Sequence, residues 1–414
     1  MSGRAAGAPA AAITTTRLPR QVKLFGAVSL LNDFASEMIY PLLPALVTGV
    51  LGAGPQALGA LDGAADFAAA FVKLGAGRLA DRPDRRGRLV VLGYAVAVLV
   101  RPVIAFAAAA WQVIGLRVVD RLGKGLRTPP RDALIADATP PPLRGRAFGL
   151  QRGLDHAGAV LGPLVAWWLL ASGTANVRRV IGLSIVPGVL VLVLAIWAVT
   201  DAHGAVRAAK AAAGPGTPLP PMPPPAALLR PLPPFLLPIS FFYLLRMPDT
   251  LVILRSQQLG VSVAVVTLLW AALHVVRSTS SFLGGAWTDR LGAERTMWIG
   301  WVCYALLAGG MAYAHTTLQA WGLFLALGVV AGLTESPERA LVARTAGAHQ
   351  GSGFGAYHAL TGVAALAGGL VLGGVFQAYG GAAAFVASAA AGGVLALAGL
   401  VASLRRVRPG DRRE

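Results

Sequence analysis

From about residue 22 to residue 404 the chain alternates apolar blocks with short polar stretches. The blocks are rich in Leu, Ala, Val and Gly and run roughly twenty residues, the length a helix needs to cross a bilayer. Twelve membrane-spanning helices are predicted, at about 22–48, 56–80, 87–109, 111–137, 144–171, 180–200, 235–259, 262–288, 295–314, 318–344, 350–378 and 382–404. The run GPGTPLPPMPPPAALLRPLPP separates the sixth from the seventh. It cannot be helical, because proline lacks an N–H and clashes with the preceding turn. The expected fold class is therefore an all-α membrane protein of twelve transmembrane helices in two six-helix bundles. The first bundle spans residues 22–200 and the second 235–404, with a Pro-rich linker at 201–234 and tails at 1–21 and 405–414.

Composition supports this class. Hydrophobic residues make up 56% of the chain and charged residues 13%, against about 25% charged in a soluble domain. Mean hydropathy is +0.64. A net charge of +18 would fit a nucleic-acid partner, but its placement excludes one. The basic residues lie between apolar blocks, at Arg17, Arg20 and Lys23, at Arg82, Arg85, Arg86 and Arg88, at Arg144 and Arg146, at Arg207 and Lys210, at Arg290 and Arg295, and at Arg405, Arg406 and Arg408. The alternate connections are almost bare; Arg178, Arg179 and Arg255 break the pattern. This asymmetry predicts both termini on the cytoplasmic side. The Ala/Arg/Gly bias fits a high-GC bacterium, so the expected location is a bacterial inner membrane. The basic N-terminal stretch has no apolar core and is read as a tail rather than a signal peptide. Cys303 is the single cysteine, so no intrachain disulfide can form. No phosphate-binding Gly-x-x-x-x-Gly-Lys-Ser/Thr, His-Glu-x-x-His or cysteine cluster is present, so no cofactor, metal or enzymatic chemistry is expected.

The two halves repeat. GRLADRPDRRGRL (Gly77–Leu89) returns as GAWTDRLGAERTM (Gly285–Met297), and TPPRDALIAD (Thr128–Asp137) as SPERALVART (Ser336–Thr345). Parallel six-helix repeats are a known transporter design, with the substrate site between them near the midplane. In these features the chain resembles the major facilitator superfamily of secondary transporters over roughly residues 20–405. Gly77, Leu79, Ala80, Asp81, Arg82, Arg85 and Arg86 follow the family's loop signature after helix 2, with Asp84 where a glycine is usual. Arg121 and Gly125 match the helix 4 pattern Arg-x-x-Gln-Gly, with Lys124 replacing glutamine. GAVLGP (Gly158–Pro163) looks like the Gly-x-x-x-Gly-Pro signature of the family's antiporters. DFASEMIYPLLP (Asp33–Pro44), DRLGKGLRTPPRDALIAD and Lys73 are similar to a bacterial permease subgroup. The resemblance implies alternating access, with Asp81, Arg82 and Arg86 as a latch, and gives Gly158, Gly162 and Pro163 two readings, close helix packing or a periplasmic seal.

Charges at membrane depth cost about 2.5–3.5 kcal/mol each and therefore mark cavities or ion pairs. On helix 4, Arg117, Asp120, Arg121, Lys124 and Arg131 share an arc of about 100°, with Arg127 just beyond it. Arg121 and Lys124 are substrate-binding candidates; Arg127, Arg131 and Asp132 read more readily as ion pairs. Pro129 and Pro130 are expected to bend or end this helix. On helix 1, Asp33, Glu37 and Tyr40 fall at i, i+4 and i+7, on one face. Asp33 and Glu37 are proton-coupling candidates, each open to the alternative of a fixed salt bridge, and Tyr40 is a substrate-binding candidate. Asp62, Asp66 and Lys73 share a face of helix 2, where an ion pair is the simpler role. His156 is a relay candidate or a hydrogen-bonded core residue.

In the second half, Arg246 and Arg277 join the substrate-binding candidates and Asp249 the proton-coupling ones. His274, Glu338 and His358 complete the intramembrane set. Glu335 is the repeat equivalent of Arg127, which predicts an inter-half ion pair made in one access state. The expectation is a monomeric carrier in the lipid bilayer that exports a small organic compound, anionic or amphiphilic, in exchange for protons. Proton-symport uptake of an organic anion and a membrane sensor on the same fold are the alternatives.

Overall fold

The computed structural model describes residues 18–80, 83–139, 144–213, 235–346 and 350–405. Among these residues the architecture is all-helical, with no strand. The first half contains α1 (Arg20–Glu37), α2 (Pro55–Ala80), α3 (Pro83–Val103), α4 (Ala110–Ala138), α5 (Arg144–Ala171), α6 (Val177–Leu183) and α7 (Ile185–Ala213). The second contains α8 (Leu236–Leu245), α9 (Asp249–Gln258), α10 (Val263–Leu291), α11 (Ala293–Ala312), α12 (Thr317–Ala346) and α13 (Gln350–Arg405). Among the described residues, seven helical stretches are long and apolar enough to cross a membrane. α1 and α4 are not among them, because both carry several charges.

Within the halves, α1 packs on α5, α2 and α3 on α4, α10 on α12, and α11 on α12 and α13. Between the halves, α2 lies along α13 and α5 along α10. Gly380 adopts φ 84°, a left-handed conformation open to glycine, and divides α13 into two legs. The first leg meets α2 through Gly369 and Gly373; the second meets α11 through Gly392 and Gly399.

Three helix boundaries differ from the pattern-based expectation. Helix 1 does not run to 48: α1 stops at Glu37, followed by a 3-10 turn at Tyr40–Leu42 and a π turn at Ala45–Val50. Pro41 and Pro44 remove the donors a continuous α-helix would need. The expected helix at 235–259 is broken, with Arg246 extended (ψ 130°) ahead of Pro248. Pro248 disfavours the helical region for Met247, the residue directly before it, so the helix stops ahead of that step, which the apolar run had hidden. α4 (Ala110–Ala138) keeps its expected bounds of about 111–137 and passes through Pro129 and Pro130 without ending. α7 continues to Ala213, so the expected linker begins with helix, as the alanine-rich DAHGAVRAAKAAA favours. Residues 214–234 lie outside the described residues.

Two of the basic residues that broke the charge pattern are tied down at the end of the bundle opposite the start of α1, the end called distal below. Arg178 donates to the carbonyls of Ala105 (2.5 Å) and Ala107 (2.9 Å), beyond the end of α3. Arg255 reaches the carbonyls of Met311, Ala312 and Ala314 at the end of α11. Both neutralise carbonyls left open at a helix C-terminus.

Gly158 and Gly162 bring α5 against the backbone of α1. A Cβ at Gly158 would overlap the Leu30 carbonyl, and one at Gly162 the Phe34 carbonyl. This contact lies inside one half, so it is packing between neighbours rather than a contact across the two bundles. Gly162→Leu is expected to cost at least the 1–3 kcal/mol of an overpacked core. A thermal unfolding curve of the detergent-purified protein, lowered by several degrees, would register it.

Candidate functional site

The broken seventh rod organises the centre of the molecule. The break at Arg246–Pro248 frees backbone groups that other elements satisfy. The Met247 N–H donates to the Tyr304 hydroxyl (2.6 Å), and the Ser388 hydroxyl donates to the Leu245 carbonyl (2.6 Å). The N-terminus of α9 is capped from the other half: Asp62 of α2 accepts the Thr250 N–H (3.1 Å) and hydroxyl (2.7 Å). A carboxylate at a helix N-terminus meets both unpaired donors and the positive end of the dipole. The Tyr40 hydroxyl, presented by the 3-10 turn after α1, donates to the second oxygen of Asp62 (3.0 Å).

Beside this junction lies a cavity of about 230 Å³. Its wall carries the acids Glu37, Asp62, Asp66 and Asp249 and the arginines Arg121, Arg246 and Arg277. Tyr40, Tyr243, Trp270 and His274 add aromatic surface. Glu37 of α1 accepts the Trp270 indole N–H (3.0 Å) and lies 3.6 Å from His274 Nε2, both on α10. That His274 distance is too long for a hydrogen bond but within ion-pair range once the imidazole is protonated. The Tyr40 and Trp270 rings meet across the halves at a tilt of 39°, with centroids 4.9 Å apart. Asp249 sits between Arg277 (2.9 Å) and Arg246 (3.7 Å), so its charge is matched within the second half.

The remaining charged face of α4 turns away from the cavity. Asp120 takes Arg101 (2.9 Å) and Arg117 (3.0 Å), and all three are buried. Arg101 and Arg127 also share the side-chain oxygen of Asn32. Arg127 donates to the Gly93 carbonyl and lies over the Tyr94 ring. Arg131 binds Asp132 and Ser29. The expected Arg127–Glu335 pair is not made here: Arg127 is enclosed within the first half, and Glu335 pairs with Arg339 one turn along α12 (3.3 Å).

Of the sequence candidates, the fold gathers Glu37, Tyr40, Arg121, Arg246, Asp249 and Arg277 around one space. Asp33 and Lys124 stay off its wall; Asp33 is bonded by Asn32. Arg86 pairs with Asp137, joining the ends of α3 and α4, whereas Asp81 and Arg82 lie outside the described residues. Arg101 was missed, although its place in the apolar run VAVLVRPVIAF is a signal. Trp270, Tyr243 and Tyr357 gave none, since an aromatic on an apolar helix reads equally as lipid-facing. Tyr357 (2.9 Å) and Tyr243 (3.3 Å) both donate to the buried Glu338.

Two helical bundles meeting at a polar, charge-lined cavity beside a discontinuous helix define a membrane carrier. The chain matches the profile of the Major Facilitator Superfamily over residues 25–247 and 239–414, and it belongs to that family. It is a multi-pass membrane transporter rather than an enzyme. It is similar to an uncharacterized MFS-type transporter of Methanocaldococcus jannaschii, 26% identical over 86% of this chain and 88% of that one. A segment covering 32% of this chain is 32% identical to 33% of the multidrug resistance protein MdtH of Photorhabdus laumondii. The crystal structure of the nucleoside transporter NupG shares the fold, with TM-score 0.72 and 13% identity over 92% of this chain and 99% of that one.

Proposed function

We propose that this protein is a proton-coupled exporter of a small organic compound, working by alternating access in a bacterial inner membrane with both termini cytoplasmic. The observation that carries the reading is the Glu37 contact with Trp270 and His274. A titratable carboxylate of one half is held by partners on the other half. Adding a proton removes the charge that attracts His274, so protonation and movement of the halves are linked. Among the described residues, inter-half hydrogen bonds at Gln56–Gln377, Leu58–Thr250, Asp62–Thr250 and Glu37–Trp270 lie between the distal end and the cavity. This favours reading the conformation as inward-facing. The distant likeness to MdtH and the GAVLGP element favour export. A cavity of about 230 Å³ lies below the 300–1,000 Å³ typical of drug-sized ligands, which favours a small metabolite. Arg121 is the proposed contact for an anionic group. Asp81, Arg82 and Arg86 are the proposed latch.

The test compares metabolites inside and outside cells that express the wild type, Glu37→Gln or an empty vector. Export predicts a compound depleted inside and enriched outside with the wild type only. Glu37→Gln is expected to lose concentrative flux while keeping ligand exchange. Unchanged proton-driven flux in that variant would exclude Glu37 as the coupling site, and accumulation inside the cells would turn the reading to symport.

A further inference from the structure

The charges on the cavity wall are not all matched. Asp249 is neutralised by Arg246 and Arg277. Glu37 faces Trp270 and His274, and Asp62 is filled by Tyr40 and Thr250. Two groups remain. Arg121 has a buried Nε with no hydrogen-bond partner, and its neighbour Asp120 is already engaged by Arg101 and Arg117. Asp66 is exposed toward the cavity, with no ion-pair or hydrogen-bond partner among the described residues. Asp120, Asp66 and Glu37 all lie within electrostatic range of Arg121, yet none of them forms an ion pair with it.

An unmatched guanidinium and an unmatched carboxylate thus face one small, partly dehydrated space without closing on each other. A buried donor left without a partner costs about 1–3 kcal/mol, so a ligand that supplies the acceptor recovers that cost. A purely anionic ligand would satisfy Arg121 but add a negative charge to a wall already holding four acids against three arginines. A purely cationic ligand would satisfy Asp66 and leave Arg121 bare. A ligand with an acidic group at one end and an ammonium at the other satisfies both and leaves the net charge of the site unchanged. The rings of Tyr40 and Trp270 supply apolar surface beside it. We propose that the transported compound is a small zwitterion, an amino-acid-like metabolite whose anionic group binds Arg121 and whose ammonium group binds Asp66. This deepens the transport reading above and rests on it.

The experiment uses purified full-length protein at a single pH with no gradient. Matched ligand sets are titrated by thermal shift and tryptophan fluorescence. Each set holds one proteinogenic amino acid, the amine formed by its decarboxylation and the acid formed by its deamination. In at least one set the amino acid should bind at least about tenfold more tightly than either relative, as expected for one added charge-assisted contact. Asp66→Asn should erase its advantage over the acid, and Arg121→Gln its advantage over the amine. The ligand comparison on the wild type stands even if a variant does not fold. The proposal is overturned if the acid or the amine matches its parent in every set, if no member of any set binds, or if the advantage survives both substitutions. Because no proton gradient enters, such a result strikes the ligand class alone. Failure of the Glu37→Gln flux comparison would instead strike the coupling.

Discussion

Asp120→Asn is expected to abolish stable folding. The Asp120 side chain is 1% exposed and bridges Arg101 and Arg117, which are 4% and 2% exposed. Removing its charge leaves two guanidinium groups facing each other without compensation. Breaking one partner out of a buried ion pair costs about 3–5 kcal/mol, and here a single change uncovers two cations. That is comparable to the whole stability of many domains, roughly 5–15 kcal/mol. Size-exclusion chromatography of solubilised membranes should show loss of the monodisperse peak for Asp120→Asn. The combined variant Asp120→Leu, Arg101→Met, Arg117→Met should recover it, because an apolar cluster of similar volume needs no counter-charge. A monodisperse Asp120→Asn protein with an unchanged unfolding temperature would remove the triad from the structural account.

The same helix shows how far its sequence could be read. The wheel of α4 places Arg117, Asp120, Arg121 and Lys124 on one side, and that side is indeed the polar one. It could not divide them, because a 100° arc is wide enough to touch two different environments. Arg117 and Asp120 meet α3 through Arg101, whereas Arg121 meets the cavity. The division depends on Arg101 and Asn32, which come from other helices and follow no period shared with α4. The repeat gave a second kind of partial information. It aligned Arg127 with Glu335, but equivalence under a pseudo-twofold axis says that two residues hold similar places in their own halves. It does not by itself bring them together, and in this conformation Arg127 is held by Asn32, Gly93 and Tyr94. The break between α8 and α9 was written in RMPDT, but hydropathy weighs side chains and is blind to where the backbone must stop. Trp270 became part of the site only through the packing of α10 against the first half.

The distal closure is where backbone contact alone should decide function. A Cβ at Gly59 would overlap the Gly369 carbonyl, and one at Gly369 the Gly59 carbonyl. At Gly63 a Cβ would lie 2.6 Å from Leu366 Cα. Here α2 of one half lies on α13 of the other, with no side chain between them to rotate away. Gly59→Val therefore penalises the distally closed state while leaving the interior of each half untouched. An overpacking cost of about 1–3 kcal/mol shifts the balance roughly five- to 150-fold toward separation of the two helices. Flux should fall at least severalfold, since a carrier that cannot close one side cannot complete its cycle. The protein should remain folded, in contrast to Asp120→Asn. Accessibility separates this from simple damage. With Cys303 replaced by Ser and Ala365, on the cavity wall, replaced by Cys, an impermeant maleimide added outside spheroplasts should label the Gly59→Val protein faster than its parent. Equal labelling together with undiminished flux would mean that the glycine contact between α2 and α13 is not the barrier that shuts the cavity from that side.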